Sequence, residues 1–305
     1  MHEGDTKAVA AAFAANLGIA VAKLIGFALT SATSMLAEAV HSLADCGNQA
    51  LLTLGGARAR RAPTSEHPFG HGRERYFWAF VVAMMLFAVG GGFAIFEGID
   101  KLRHPHPLQS PLIAIAILAF SIAAEGWSLR VALREARANR VESSWWEFIR
   151  KTKAAELPVI LLEDIAALIG LVLALAGVGL SMLTGDPRLD GAGSIAIGVL
   201  LTLVAAVLAT EMRSLLMGEA ASEADVSKIR AALLQSPRLR RIIHLRTMHL
   251  SPEELLVAVK AEFAAELSFA ELAAEIDRVE QNVRASVNRT CVIYIEPDVW
   301  HDPEP

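Results

Sequence analysis

The sequence predicts an α-helical membrane domain of six spanning helices followed by a small α+β domain. Three observations carry that fold class. Apolar residues make up 54% of the 305 and gather into long runs. The connections between those runs alternate between rich and poor in arginine and lysine. After Leu216 the long runs stop, and shorter segments with strand alternation and helix caps take over.

Six runs, near residues 9–29, 34–54, 76–99, 112–133, 157–180 and 191–210, can each cross a hydrocarbon core, which needs about 20 residues. The first is rich in Ala and Gly, suited to close helix contact, and holds Asn16 and Lys23. Lys23 can pair with an intramembrane acid or snorkel to the interface. The second, SMLAEAVHSLADCGNQALLTL, carries Glu38, His41, Asp45, Asn48 and Gln49. In a helix His41 and Asp45 stand one turn apart on one face, where an imidazole and a carboxylate can share a divalent transition metal. Ionisable groups are costly in hydrocarbon and mark a pathway or a proton relay. The alternative is a buried polar pair that only joins helices. Glu97 in the third run and Glu125 in the fourth read as structural, near the ends of the bundle. The fifth run holds Glu163 and Asp164 side by side. Adjacent helical residues point about 100° apart, so only one need face His41 and Asp45. Asp190 opens the sixth.

The second-to-third connection carries Arg58, Arg60, Arg61, Arg73 and Arg75. The fourth-to-fifth carries Arg134, Arg137, Arg140, Arg150, Lys151 and Lys153. The positive-inside rule therefore puts both termini in the cytoplasm of a multi-pass membrane protein, with a bacterial inner membrane as the expected site. The opening MHEGDTK is too acidic for a signal peptide, so the first apolar run is read as retained. The net charge of −5 is spread along the chain and leaves no nucleic-acid footprint. Cys46 and Cys291 lie far apart and outside any CxxC pair, against a disulfide framework or zinc knuckle. No P-loop is present, so ATP is not the expected energy source.

Beyond residue 216, Ser222 is a helix N-cap candidate and RIIHLRTMHL reads as a strand. In LLVAVKAEF, Val257, Val259, Ala261 and Phe263 alternate with polar or small residues, the period of a half-buried strand. Ser268 and Glu271 form a capping box for a second helix, and TCVIYIEP is a last strand. The order αββαβ suffices for a small domain with helices on one sheet face. The expected division is a six-helix transport domain at 1–216, a cytoplasmic dimerisation domain at 217–298 and a mobile tail at 299–305.

SMLAEAVHSLADCGNQ, followed by HPFGHGRERY and a soluble αββαβ domain, resembles the cation diffusion facilitator family over nearly the whole chain. LLEDIAALIG, LLMGEAA and VIYIEPD look most like the branch that includes the mitochondrial zinc transporter of animals. The resemblance implies a divalent-metal/proton antiporter, commonly a homodimer with a ferredoxin-like cytoplasmic domain. The cargo is zinc first, then manganese, iron(II) or cobalt, with protons as counter-ion and no cofactor. His41 and Asp45 match the ligand pair of helix two, and Asp164 matches the second ligand of helix five. The first helix-five ligand falls at Ile160, which cannot ligate, and Glu163 is the nearest spare oxygen. His67 and His71 match a loop metal motif, against the alternative of a turn built on Pro68, Gly70 and Gly72. In the soluble domain Ile243, Lys260 and Tyr294 stand where relatives carry ligands, so metal is not expected there. His244 and His249 read as ordinary surface or interface residues. Apart from the resemblance, an intramembrane acyltransferase using His41 as base and Asp45 as orienter fits the spacing. A non-transporting metal-sensing membrane protein fits the loss at Ile160.

Overall fold

The structure is a computed structural model and describes residues 3–139 and 156–301. Arg140, Arg150, Lys151 and Lys153 lie outside the described residues. The chain forms two compact units, Met1–Ala57 with Glu74–Arg213 and Arg58–Arg73 with Ser214–Pro305.

The first unit is helical, and each apolar run lies within a helix. These are α1 (Glu3–Thr30), α2 (Thr33–Ala59), α3 (Glu74–Arg103), α4 (Pro111–Asn139), α5 (Glu156–Thr184) and α6 (Arg188–Met217). Four segments among the described residues are long and apolar enough to cross a membrane: Glu74–Arg103, Pro111–Val131, Val159–Thr184 and Arg188–Met217. Within α1, Asn16–Thr30 is apolar. The polar residues of α2 lower its hydropathy.

The start of α2 is capped from α6. Asp190 accepts hydrogen bonds from the Thr33 and Ser34 backbone N–H at 2.7 and 3.1 Å, and from the Ser34 hydroxyl. A carboxylate there satisfies orphan donors and meets the positive end of the helix dipole. α3 passes through a π-helical segment, Leu86–Gly92, which ends in three glycines. These small residues let α3 meet α6 backbone to backbone: a Cβ on Gly98 would stand 2.6 Å from the Gly191 carbonyl oxygen. α4 meets α5 through Leu129 and Leu133 against Leu161, Leu162 and Ile165.

The second unit carries α7 (Glu223–Leu233), β1 (Leu239–His249), β2 (Glu254–Phe263), α8 (Phe269–Ser286) and β3 (Thr290–Pro297). β2 is central, antiparallel to β1 and parallel to β3. Alternate β2 residues Leu255, Val257, Val259, Ala261 and Phe263 are buried with Ile229 and Leu233 of α7 and Val279 and Val283 of α8. Each of the larger side chains contributes roughly 1.5–3 kcal/mol on burial. Ser222 caps α7, and both hydrogen bonds of the Ser268–Glu271 capping box are formed.

One expectation needs correction here. His249 is 1% exposed, with Nδ1 3.3 Å from the Ser251 carbonyl, so it is an interior residue, whereas His244 is exposed. The Trp300 ring lies 4.7 Å from the Arg241 guanidinium, a cation–π contact. Residues 302–305 lie outside the described residues.

Candidate metal site

α2 presents His41, Asp45 and Asn48 at i, i+4 and i+7, one stripe of its surface. His41 is fully buried, and its Nε2 lies 3.5 Å from Asp45 Oδ2. Across from this stripe is α5. Asn48 Nδ2 donates to Glu163 Oε1 at 2.7 Å, and Glu163 is buried. Asp164, the next residue, is half-buried. α5 can approach α2 here because Gly170 has no side chain; a Cβ there would overlap the Glu38 carboxylate. On the α3 side, Gly90 leaves 4.0 Å between His41 Nδ1 and the place a Cβ would take.

Among the described residues, several atoms of this stripe are buried without a hydrogen-bond partner: both His41 ring nitrogens, Asp45 Oδ1, Asn48 Oδ1 and Gln49 Oε1. Buried polar atoms are normally satisfied, so a row of unsatisfied lone pairs marks a place built for something else. One nitrogen of a neutral His41 ring is an acceptor, and with the carboxylate and amide oxygens it makes a nitrogen–oxygen set suited to a divalent transition metal.

The charges nearby are unbalanced. Asp45, Glu163 and Asp164 lie within coulombic range of one another, and Glu125 of α4 lies within range of Asp45 and Asp164. Glu125 therefore belongs with this group and not to a remote end of the bundle. Lys23 lies within coulombic range of Asp45, but its direct contacts are made elsewhere. Its ammonium is fully buried, 3.2 Å from Glu38 Oε2 and 2.7 Å from Ser42 Oγ. Lys23 thus pairs with an intramembrane acid, and that acid is Glu38. Carboxylates in low dielectric must share a proton or a cation.

The ligand set is not closed. Among the described residues no three His, Cys, Asp or Glu side chains stand together as a metal site, so the expected meeting of His41, Asp45 and Asp164 is not reached. The α2 pair is held at helical spacing, while the α5 acids sit opposite, with Glu163 bound to Asn48. Mutual repulsion of uncompensated carboxylates favours that separation. Ile160, one turn before Asp164, is 43% exposed.

Asn48 was the residue least visible beforehand. It lies at i+3 from Asp45 and i+7 from His41, a spacing that marks it as part of the stripe.

In the second unit, the loop carrying His67 and His71 turns tightly. Gly70 N–H and Thr64 N–H both donate to the His67 carbonyl, at 2.9 and 3.2 Å, and the two imidazole rings lie 4.6 Å apart. Gly70 takes φ 79°, a conformation glycine adopts without strain. On β2, Lys260 reaches Glu296 at 3.2 Å and Asp298 at 2.6 Å.

Fold and site together define a polytopic helical membrane protein with an imidazole–carboxylate face between two of its helices, and with a small α+β domain. Residues 9–217 match the family model described as the cation efflux transmembrane domain, and residues 221–298 match that of the cation efflux protein, cytoplasmic domain. The chain belongs to the cation efflux family. It is 35% identical over 249 residues to the Xenopus laevis "Proton-coupled zinc antiporter SLC30A9, mitochondrial", covering 81% of this chain and 44% of that one. The human protein of the same name is 33% identical over 269 residues, covering 88% and 46%. "Zinc transporter ZitB" of Pectobacterium atrosepticum is 27% identical over 259 residues, covering 84% and 75%. The chain thus spans about half the length of the first two relatives. Membership in a transport family sets aside the acyltransferase reading. The expected bacterial inner membrane gains no support from relatives named mitochondrial.

Proposed function

We propose that this chain carries a divalent transition-metal cation across a membrane in exchange for protons, as an efflux antiporter and not an enzyme. The observation that supports it is the unsatisfied stripe on α2, where buried His41, Asp45 and Asn48 atoms without partners face Glu163 and Asp164 of α5. The proposed ligands are His41, Asp45, Asp164 and Glu163. The cation draws the α5 acids toward the α2 pair by neutralising their repulsion. Metal binds neutral imidazole and ionised carboxylate, so loading expels protons, and reprotonation on the far side expels the metal. One nitrogen among several oxygens makes a hard site, which admits manganese, iron(II) or cobalt beside zinc. Zinc is the first cargo to test, since the relatives' names specify it.

In this reading α1 and α2 complete a set of six spans, both termini are cytoplasmic, and residues 1–216 carry transport. Residues 217–298 form a ferredoxin-like domain that holds a homodimer without bound metal, followed by a tail at 299–305. His67 and His71 offer a transient metal contact in the loop.

The test is uptake of zinc, manganese, iron(II) and cobalt by proteoliposomes under an imposed pH gradient. The expected result is saturable metal flux that moves protons the opposite way. Flux indifferent to the gradient refutes the antiport, and no flux of any metal refutes transport. Cysteine labelling checks the orientation: Ser65→Cys is expected to be shielded from an impermeant reagent in intact cells, and Ser110→Cys to react.

A further inference from the structure

The end of α4 holds a basic group that the transport site does not use. Arg130, Arg134 and Arg137 fall at i, i+4 and i+7, on one helical face, and all three are exposed. Among the described residues none of them has a carboxylate partner. Together with Gly126, Leu129 and Leu133 they line a cavity of about 400 Å³.

The apolar run of α4, near residues 112–133, gives way to the basic stretch that begins at Arg134, so this cavity straddles the edge of the hydrocarbon. Gly126 and Leu129 lie within the span, and Arg134 and Arg137 beyond it. Trp127, 70% exposed, is at the same level, where amphipathic aromatic rings settle among lipid headgroups. Arginines that merely snorkel would meet the leaflet as separate point charges. Here they share one recess with Gly126, Leu129 and Leu133, matching a ligand with an anionic head and a hydrocarbon tail. The guanidinium fork suits phosphate oxygens in a bidentate geometry.

We propose that this cavity is a binding site for an anionic phospholipid, with the headgroup phosphate held by Arg130, Arg134 and Arg137 and the acyl chain along Leu129 and Leu133. Those leucines pack on Leu161, Leu162 and Ile165 of α5, so the bound lipid wedges the α4–α5 seam beside the residues that flank Glu163 and Asp164. Basic pockets at this depth attract acidic headgroups more strongly than zwitterionic ones.

The experiment uses the full chain in detergent, titrated with dioctanoyl phosphatidylglycerol, dioctanoyl phosphatidylcholine or inorganic phosphate, and reads bound lipid by native mass spectrometry and thermal stability. Phosphatidylglycerol is expected to bind and raise the melting temperature, with phosphatidylcholine and phosphate doing neither. The triple variant Arg130→Gln, Arg134→Gln, Arg137→Gln is expected to weaken binding roughly tenfold or more. The charge-matched triple Arg58→Gln, Arg60→Gln, Arg61→Gln is expected to bind as the parent does. Gly126→Leu keeps every charge and places a side chain in the recess, since nothing lies within 4 Å of a Cβ there. It too is expected to lose the lipid. Equal binding of phosphatidylcholine, or equal loss in the control triple, reduces the effect to surface electrostatics and overturns the proposal. Competition by phosphate at similar concentration makes it a free-anion site. Parent-like binding by Gly126→Leu shows that the recess plays no part.

Discussion

In the soluble unit, Glu296 and Asp298 lie 3.2 and 2.6 Å from the ammonium of Lys260, a cation that the neighbouring strand supplies. In the membrane unit, Asp45, Glu163 and Asp164 lie within coulombic range of one another, and the buried ammonium of Lys23 is committed to Glu38 and Ser42. The two regions hold the same kind of group and differ in where the compensating charge comes from. A carboxylate pair with its own lysine, open to water, has its charge partly compensated and otherwise screened. A cluster whose lysine is engaged elsewhere retains its demand for a cation, and burial makes that demand strong. The solvated cluster also tolerates error, because water screens it, whereas the buried one does not.

The largest expected effect breaks the membrane side of this comparison. Asp45→Asn keeps the shape of the side chain and removes a negative ligand next to His41. Proton-coupled metal flux in liposomes should fall at least about a hundredfold, more than loss of a supporting residue causes. Parent-like uptake would take Asp45 out of the site.

Next comes Lys23→Met, which leaves Glu38 buried without its counter-charge. The cost should be roughly 3–5 kcal/mol of stability, the usual result of removing one partner of a buried pair. It should show as a lower melting temperature in detergent. The double variant Lys23→Met, Glu38→Met should recover most of it. Failure of that recovery would mean that Glu38 serves something besides Lys23.

Glu163 and Asn48 sharpen the comparison on the α5 side. Glu163→Gln should impair transport nearly as much as Asp164→Asn. Asn48→Ala, which frees Glu163 from its 2.7 Å hydrogen bond, should cost about 10–100-fold in metal affinity. Ile160→His restores an imidazole one turn before Asp164 and should move preference toward zinc. Normal transport by Glu163→Gln with the metal ranking intact would make that acid structural, leaving three protein ligands and water.

The smallest effect belongs to Lys260. Hydrogen bonds with Asp298 and then Glu296 hold its ammonium above the ordinary lysine range, and the same contact holds Asp298 below the ordinary carboxylate range. The Asp298 contribution is therefore present above the unfolded carboxylate range and lost as pH falls through the lowered value. The Lys260 contribution is present below the unfolded lysine range and lost as pH rises through the raised one. Lys260→Ala should lower the melting temperature only slightly at neutral pH, and the difference should vanish at both extremes. A large loss at neutral pH would mean the pair does more than balance surface charge.

How far these features could be read from the chain depended on whether they are local. Helix and strand periodicity, the Ser268–Glu271 capping box and the one-turn spacing of His41 and Asp45 are settled by residues a few positions apart, where backbone geometry alone dictates who faces whom. The sequence by itself therefore determined the helices, the alternating core of β2 and the α2 pair. The tertiary structure decided the partners: Asn48 for Glu163, Glu38 for Lys23, and Asp190 for the first turn of α2, contacts across 115, 15 and 157 positions. A period shows which face of a helix is polar. It does not show which neighbouring helix that face meets, because several pairings of similar helices satisfy the same pattern. Packing chose among them through close approaches such as Gly98 on Gly191 and Gly170 on Glu38, where absent side chains let backbone and carboxylate reach positions that a Cβ would block.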